Sequence, residues 1–212
     1  MPLYKTITID ESTNLLIWKI EESYELLCEG IQLTPDCQNR VDKMKSDIHK
    51  RGFMSIRHLL AISGYTDFDL FYDDFGKPYL KDDKHISITH SFEFSGIIIS
   101  DKPVGIDIEK QREKIHRIAH KFVNSEKDFV DQEKDNKTRL LTIIWGAKES
   151  LYKLYAKAGL SFEQHIHIMA FDVGMPFTVG SIHYKEDISH YDITFIEFEG
   201  FTCVYALPYI VE

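Results

Sequence analysis

The chain is poor in cysteine, in long apolar runs and in positive charge, and each scarcity narrows what it can be. Its 3 cysteines, Cys28, Cys37 and Cys203, are an odd and widely spaced set. They show neither the C-x-x-C pairing of a zinc site nor the density of a secreted disulfide framework, so reduced, bland thiols are expected. The apolar run Ile97 to Ser100 falls far short of the ~20 residues that a membrane-spanning helix needs. Met1 to Ile20 has no basic segment followed by an apolar core, so the expectation is a cytoplasmic protein without membrane contact. Lysine and arginine total 25 against 34 aspartates and glutamates, a formal charge of -9. That balance argues against a nucleic-acid partner, whose phosphate backbone is held by clustered cations. What is present, 43% hydrophobic and 28% charged residues over 212 positions, is ordinary globular composition, enough for one domain or two small ones.

Periodicity and turn residues predict an order of elements. A strand is expected around Leu15 to Ile20, a helix near Glu22 to Glu29, and one long helical stretch from Pro35 to about Ser63, with Pro35 in the first turn and Gly64 as the stop. Short strands follow at Leu70 to Tyr72, His85 to Thr89 and Ser95 to Ile99. After Lys102-Pro103 the order recurs. A strand at Val104 to Ile108 leads to helices near Ile115 to Phe122 and Ser125 to Glu133, then a long helix from about Lys137 to Lys157 closed by Gly159. Three or four β-rich runs are expected in the tail, at His165 to Phe171, Thr178 to Tyr184, Tyr191 to Phe198 and Phe201 to Ala206. The expected class is α+β, with two halves, 1–102 and 103–212, each a small, mainly antiparallel sheet packed against a long helix.

Two short elements gather the chemistry. In Gly105-Ile106-Asp107-Ile108-Glu109 the isoleucines alternate with the acids, so a strand places both carboxylates on one face. In Trp145-Gly146-Ala147-Lys148-Glu149-Ser150-Leu151-Tyr152-Lys153, residues Trp145, Glu149 and Lys153 recur every four positions along one helical stripe, with Lys148 beside it. Asp107, Glu109 and Glu149 are therefore candidate ligands for a hard divalent ion such as Mg²⁺, which takes oxygen donors and often substrate phosphates. Either element alone reads equally as a solvated strand face or an exposed Glu-Lys helix pair. His165 and His167 would share a strand face, but no Cys, Asp or third His follows at ligand spacing, so no metal is expected there.

At these two elements the sequence resembles the 4′-phosphopantetheinyl transferases, whose motifs read roughly G-[IV]-D-[IVL]-E and W-x-x-K-E-[AS]-x-x-K. Gly76-Lys77-Pro78 and Thr89-His90-Ser91 stand upstream in the family's order. The resemblance implies the surfactin-synthetase-activating type, a monomeric pseudo-dimer of two α+β halves with coenzyme A and Mg²⁺ in the cleft between them. The implied reaction moves the phosphopantetheine arm of coenzyme A to a serine of an apo-acyl or peptidyl carrier protein and releases adenosine 3′,5′-bisphosphate.

The resemblance also implies roles. Asp107 and Glu149 hold Mg²⁺, with Mn²⁺ as the alternative, and Glu109 is a third ligand or acts through water. Glu149 is the base, directly or through a metal-bound water, and Lys153 neutralises the transferring phosphate. Lys148 contacts the 3′-phosphate or the diphosphate. Lys50, Arg51 and Arg57 supply cations to the 3′-phosphate, Lys77 and Pro78 lie against the nucleotide, and Thr89 and His90 meet the coenzyme A phosphates. Lys114, His116, Arg117, His120 and Lys121 form a cationic helix for an acidic carrier. Two alternatives stay open: another metal-dependent phosphotransferase or nuclease built on three acids, and a coenzyme A- or carrier-binding module without chemistry.

Overall fold

A computed structural model describes residues 3–209. The chain divides into two compact units, Met1–Lys102 and Pro103–Glu212. The first contains β1 (Leu3–Thr8), β2 (Asn14–Lys19), α1 (Tyr24–Cys28), α2 (Pro35–Asp42), α3 (Asp47–Ile62), β3 (Leu70–Tyr72), β4 (Pro78–Leu80), β5 (His85–Ser91) and β6 (Phe94–Ser100). Its strands form one antiparallel sheet in the order β1-β2-β6-β5-β4-β3. Met54, Leu59 and Leu60 of α3 join Leu16, Trp18, Ile86 and Ile97 of the sheet in a single core.

The stretch expected as one helix from Pro35 is two. Thr34 caps α2, its hydroxyl accepting from the Cys37 amide at 3.3 Å, and Pro35 occupies the first turn. The chain then leaves the helix: the Met44 amide closes a tight turn on the Val41 carbonyl, and Ser46 is extended at φ -93°, ψ 123° before α3 restarts at Asp47. Ser46 makes no side-chain capping bond, and the restart is marked instead by Asp47, whose negative charge sits in the first turn of α3.

The second unit contains β7 (Gly105–Lys110), α4 (Lys127–Gln132), α5 (Lys137–Tyr155), β8 (Ile166–Ile168), β9 (Phe177–Tyr184), β10 (Asp187–Phe198) and β11 (Phe201–Pro208). Its antiparallel sheet runs β7-β11-β10-β9-β8. Leu140, Leu141, Ile144, Ala147 and Leu151 recur at helical spacing along α5 and pack with Ile182, Ile193 and Val204. Burying Leu141, Ile144 and Leu151 fully, at about 1.5–3 kcal/mol each, selects the helix face that meets the sheet. Both units are thus α+β, each with one long helix across an antiparallel sheet.

Two expectations in this unit are corrected. The helix near Ile115 to Phe122 is a pair of 3₁₀ turns, Glu113–Arg117 and Ala119–Lys121. Ile115 and Ile118 stand three apart, the spacing that a 3₁₀ turn brings onto one side. The last turn of α5 is closed by Ala156 rather than Gly159: Ala156 takes the left-handed conformation at φ 51° and donates its amide to the Tyr152 carbonyl at 3.0 Å.

Gly105 controls how closely β7 meets α5. A Cβ there would stand 1.9 Å from the Ser150 carbonyl oxygen, which belongs to helix backbone and cannot rotate aside. Gly105→Ala is therefore expected to destabilise the protein by about 3 kcal/mol, because overpacking against backbone forces the two elements apart. A urea titration checks this as a lowered midpoint with little change in slope.

Candidate active site

The close approach at Gly105 sets the rest of the site. Along β7 the side chains alternate, so Asp107 and Glu109 share with Gly105 the face turned to α5, while Ile106 and Ile108 are buried on the other. Asp107 is only 6% exposed, which rules out a solvated strand face. Lys153 donates to Asp107 Oδ1 at 2.7 Å and to the Ile106 carbonyl at 2.9 Å. One end of the stripe is thereby tied to the strand. At the other end Trp145 Nε1 donates to Glu109 Oε1 at 3.1 Å, and Glu149 stands between these two ties on the same helical stripe.

Three carboxylates share one ammonium, and their proton affinities record the imbalance. Burial first, and the Asp107 charge second, push the Glu149 carboxyl up from 4.5 to about 7, against the opposing pull of Lys153. Burial and Asp107 also raise Glu109, with the Trp145 hydrogen bond working the other way. The all-oxygen, net-negative character of the cluster suits a hard divalent cation. Among the described residues, however, no group of three or more His, Cys, Asp or Glu side chains is placed to hold a metal ion. The acids form a loose cluster, with Asp107 engaged by Lys153 and Glu109 by Trp145, rather than the three-ligand set expected from the sequence.

Two expected phosphate contacts are corrected. Lys148 is fully buried, its ammonium 2.8 Å from Glu126 and bonded to the carbonyls of Phe122 at 2.6 Å and Phe162 at 3.0 Å. All three of its protons are taken inside the second unit. Arg57 is likewise buried: Nε pairs with Asp67 at 2.9 Å, and the guanidinium lies 3.4 Å from the Phe53 ring centroid. Asp67 also accepts from the Thr34 amide at 2.8 Å and its hydroxyl at 3.0 Å, so Arg57 helps to fix the start of α2.

The remaining expected cofactor contacts stay nearer the surface of the first unit. His90 is exposed at the end of β5, and its ring lies against Gly52 of α3, where a Cβ would stand 2.7 Å from His90 Cδ2. His49 meets the same imidazole edge to face at 5.9 Å. Thr89 is buried beside it. Lys50 lies 5.4 Å from the Tyr24 ring centroid, and Arg51 pairs with Asp47 at 3.0 Å. Lys77 and Pro78 follow a tight turn in which Asp73 Oδ1 accepts from the amides of Phe75 and Lys77, both at 2.9 Å, and Gly76 takes φ +84°. Burial lowers the Lys77 pKa, and its ammonium lies 5.8 Å from the Tyr79 ring centroid. The fold thus groups His90 with the first turns of α3 and places Lys77 and Pro78 on the β3–β4 hairpin.

The family model described as the 4′-phosphopantetheinyl transferase superfamily matches residues 103–203. A 4′-phosphopantetheinyl transferase, gsp, of Aneurinibacillus migulanus is 31% identical over 136 residues, 62% of this chain and 54% of the relative. Another, Sfp of Bacillus subtilis strain 168, is 35% identical over 92 residues, 42% of this chain and 41% of the relative. Residues 103–203 are thus similar to the 4′-phosphopantetheinyl transferase superfamily, the family that the Gly105–Glu109 and Trp145–Lys153 motifs resemble. The matches span only about half of each curated relative, or less. The Thermotoga maritima holo-[acyl-carrier-protein] synthase structure covers 52% of this chain and 64% of its own, at 16% identity and a TM-score of 0.43, a likeness too slight to argue from.

Asp107, Glu109, Lys148, Glu149 and Lys153 all lie in the superfamily region, whereas Lys50, Arg51, Arg57, Lys77, Pro78, Thr89 and His90 precede it. In the second unit Lys114, His116 and Arg117 line a cavity of about 600 Å³ together with Lys134 and Lys137 and the acids Glu113 and Asp135. They do so from a 3₁₀ turn, which corrects the cationic helix expected there. Sequence reading missed Glu126, Gly52 and the tie from Trp145 to Glu109. Only Trp145 had a signal, its place on the Glu149 stripe. Nothing in the chain order links positions 126 and 148.

Proposed function

We propose that this chain transfers the 4′-phosphopantetheine group of coenzyme A to a serine of an apo-acyl or peptidyl carrier protein, with Mg²⁺. The observation that carries the reading is the Asp107-Glu149-Lys153 cluster in the region that matches the superfamily: a glutamate with a pKa of about 7 beside an aspartate that is locked to a lysine. Without a bound ion that carboxyl exchanges its proton near neutral pH. Glu149 takes the proton of the attacking serine hydroxyl directly or, with an ion on the carboxylate lowering its basicity, through a water. The serine oxygen forms a bond to the phosphorus of the pantetheine phosphate, the diphosphate P–O bond breaks, and adenosine 3′,5′-bisphosphate leaves.

Asp107 and Glu149 would hold Mg²⁺, with Glu109, already engaged by Trp145, supporting from behind; Mn²⁺ is the alternative ion. When bound, the ion supplies charge neutralisation on the diphosphate. Lys153 keeps Asp107 oriented and adds positive charge at the phosphate. Lys50, Arg51, Lys77, Pro78, Thr89 and His90 bind the nucleotide end of coenzyme A. The cationic cavity at Lys114, His116 and Arg117 receives the acidic carrier.

Intact mass of an apo-carrier incubated with the protein, coenzyme A and Mg²⁺ tests the reading. A gain of one phosphopantetheine supports it, and an unchanged mass with fatty-acid, polyketide and peptide-synthase carriers alike would overturn it. Gly52→Ala gives a second check. The added methyl displaces His90, so coenzyme A affinity is expected to fall about tenfold, the scale of losing one hydrogen bond to a charged group, as measured by calorimetry.

A further inference from the structure

The exposed face of the second sheet carries a histidine pair outside the acid cluster. Ile166, Ile168 and Ile182 point into the core, so the alternate positions His167 of β8 and Ser181 and His183 of β9 lie on the opposite face. His167 is directly across from Ser181, which makes His183 its diagonal neighbour, and diagonal pairs in a sheet are within reach of long side chains. The two rings stand 4.6 Å apart between centroids and are tilted by 56°, which is not a face-to-face stack. His165 is not part of the pair: its Nδ1 accepts from the Ser161 amide at 2.8 Å, and its ring meets Tyr184.

Each ring of the pair is anchored through one nitrogen. His167 Nδ1 is 3.0 Å from the Ser125 hydroxyl, and His183 Nε2 is 3.0 Å from the Ser181 hydroxyl. His167 is also held by a backbone hydrogen bond to Gln164; with the two serine-anchored nitrogens protonated, His167 Nε2 and His183 Nδ1 carry the lone pairs. A hydrogen bond on the far nitrogen fixes the tautomer and aims the ring, which is how metal-binding histidines are held. The spacing agrees. A zinc–nitrogen bond of about 2.0–2.1 Å puts each ring centroid roughly 3.2 Å from the ion, so two ligands at angles between square and tetrahedral stand about 4.5–5.2 Å apart.

We propose that His167 and His183 form a two-histidine site for a borderline divalent transition-metal ion of the zinc class, separate from the carboxylate cluster. Imidazole suits zinc, copper and nickel, whereas the carboxylates of Asp107 and Glu149 suit magnesium. No third His, Cys, Asp or Glu joins the pair among the described residues, so water completes the shell and the site is open. An ion there clips the edge strand β8 to β9. Through Ser125 it also reaches the residue next to Glu126, the buried partner of Lys148.

Calorimetric titration of the full chain with Zn²⁺ alone, at pH 7.5 and without coenzyme A or carrier, tests this. One site is expected that His183→Ala and His167→Gln each weaken by more than about tenfold, that Ser125→Ala weakens by about tenfold, and that Glu149→Gln leaves intact. Imidazole ¹⁵N shifts give a readout that does not depend on a variant folding: one equivalent of Zn²⁺ should move His167 Nε2 and His183 Nδ1 selectively. Absence of a Zn²⁺ site, a site that survives both histidine substitutions, or one lost in Glu149→Gln would each overturn the proposal.

Discussion

Glu149→Gln is expected to lower the rate of transfer by about 10³-fold, the scale of losing a positioned proton acceptor, while coenzyme A still binds through residues of the first unit. The same substitution should change the stability profile in a way that a purely structural glutamate would not. The folded protein holds the Glu149 proton up to about pH 7, whereas an ordinary glutamate releases it near 4.5. Stability from this group is therefore complete below about 4.5 and is lost as pH rises through 7, because the unfolded chain releases its proton first. The loss is on the order of 3 kcal/mol between the two limits. Gln has no proton to lose, so the variant should be more stable than the parent at pH 8 and should lose the decline between pH 4.5 and 7. Denaturant titrations across that range check the profile, and a parallel decline in both proteins would contradict the assignment.

Lys148→Met is expected to destabilise the protein by about 3–5 kcal/mol, because removing one member of a buried ion pair leaves an uncompensated charge. The Glu126 carboxylate would remain wholly buried, and the carbonyls of Phe122 and Phe162 would each lose a donor. Replacing both members, Lys148→Met with Glu126→Leu, should restore only the part due to the uncompensated charge, because the Asn124 and Ile168 amides lose their acceptor and the two carbonyls still lack their donor. Urea midpoints for the two single variants and the double variant give the coupling directly. Were Lys148 a phosphate contact instead, Lys148→Met would weaken coenzyme A binding and leave the midpoint where it was.

The contrast between Lys148 and Lys153 shows what could be read in the chain. The four-residue recurrence of Trp145, Glu149 and Lys153 fixes one helical stripe, and the alternation of Asp107 and Glu109 fixes one strand face; both follow from backbone geometry alone. Lys148 is one position off the stripe and so turns away from the strand, toward Glu126, which no local pattern connects to it. Arg57 was legible as a helical cation, but its ion pair is made with Asp67, which lies past the end of α3 and which no helical spacing connects to it. The strands β1 and β4 escaped notice for a related reason. β1 is a largely exposed edge with no apolar alternation, and β4 is three residues beginning at Pro78. Likewise the His167 pair is invisible as a spacing, because its second member, His183, arrives across a strand pairing.

The measurement that bears most directly on the central claim couples two products in one reaction. An apo-carrier, coenzyme A and Mg²⁺ are incubated with the protein, and modified carrier serine and free adenosine 3′,5′-bisphosphate are quantified over time. The account predicts that the two rise together, one for one, and that both stop with Glu149→Gln. Release of the bisphosphate without carrier modification, or equal rates with Glu149→Gln, would contradict it.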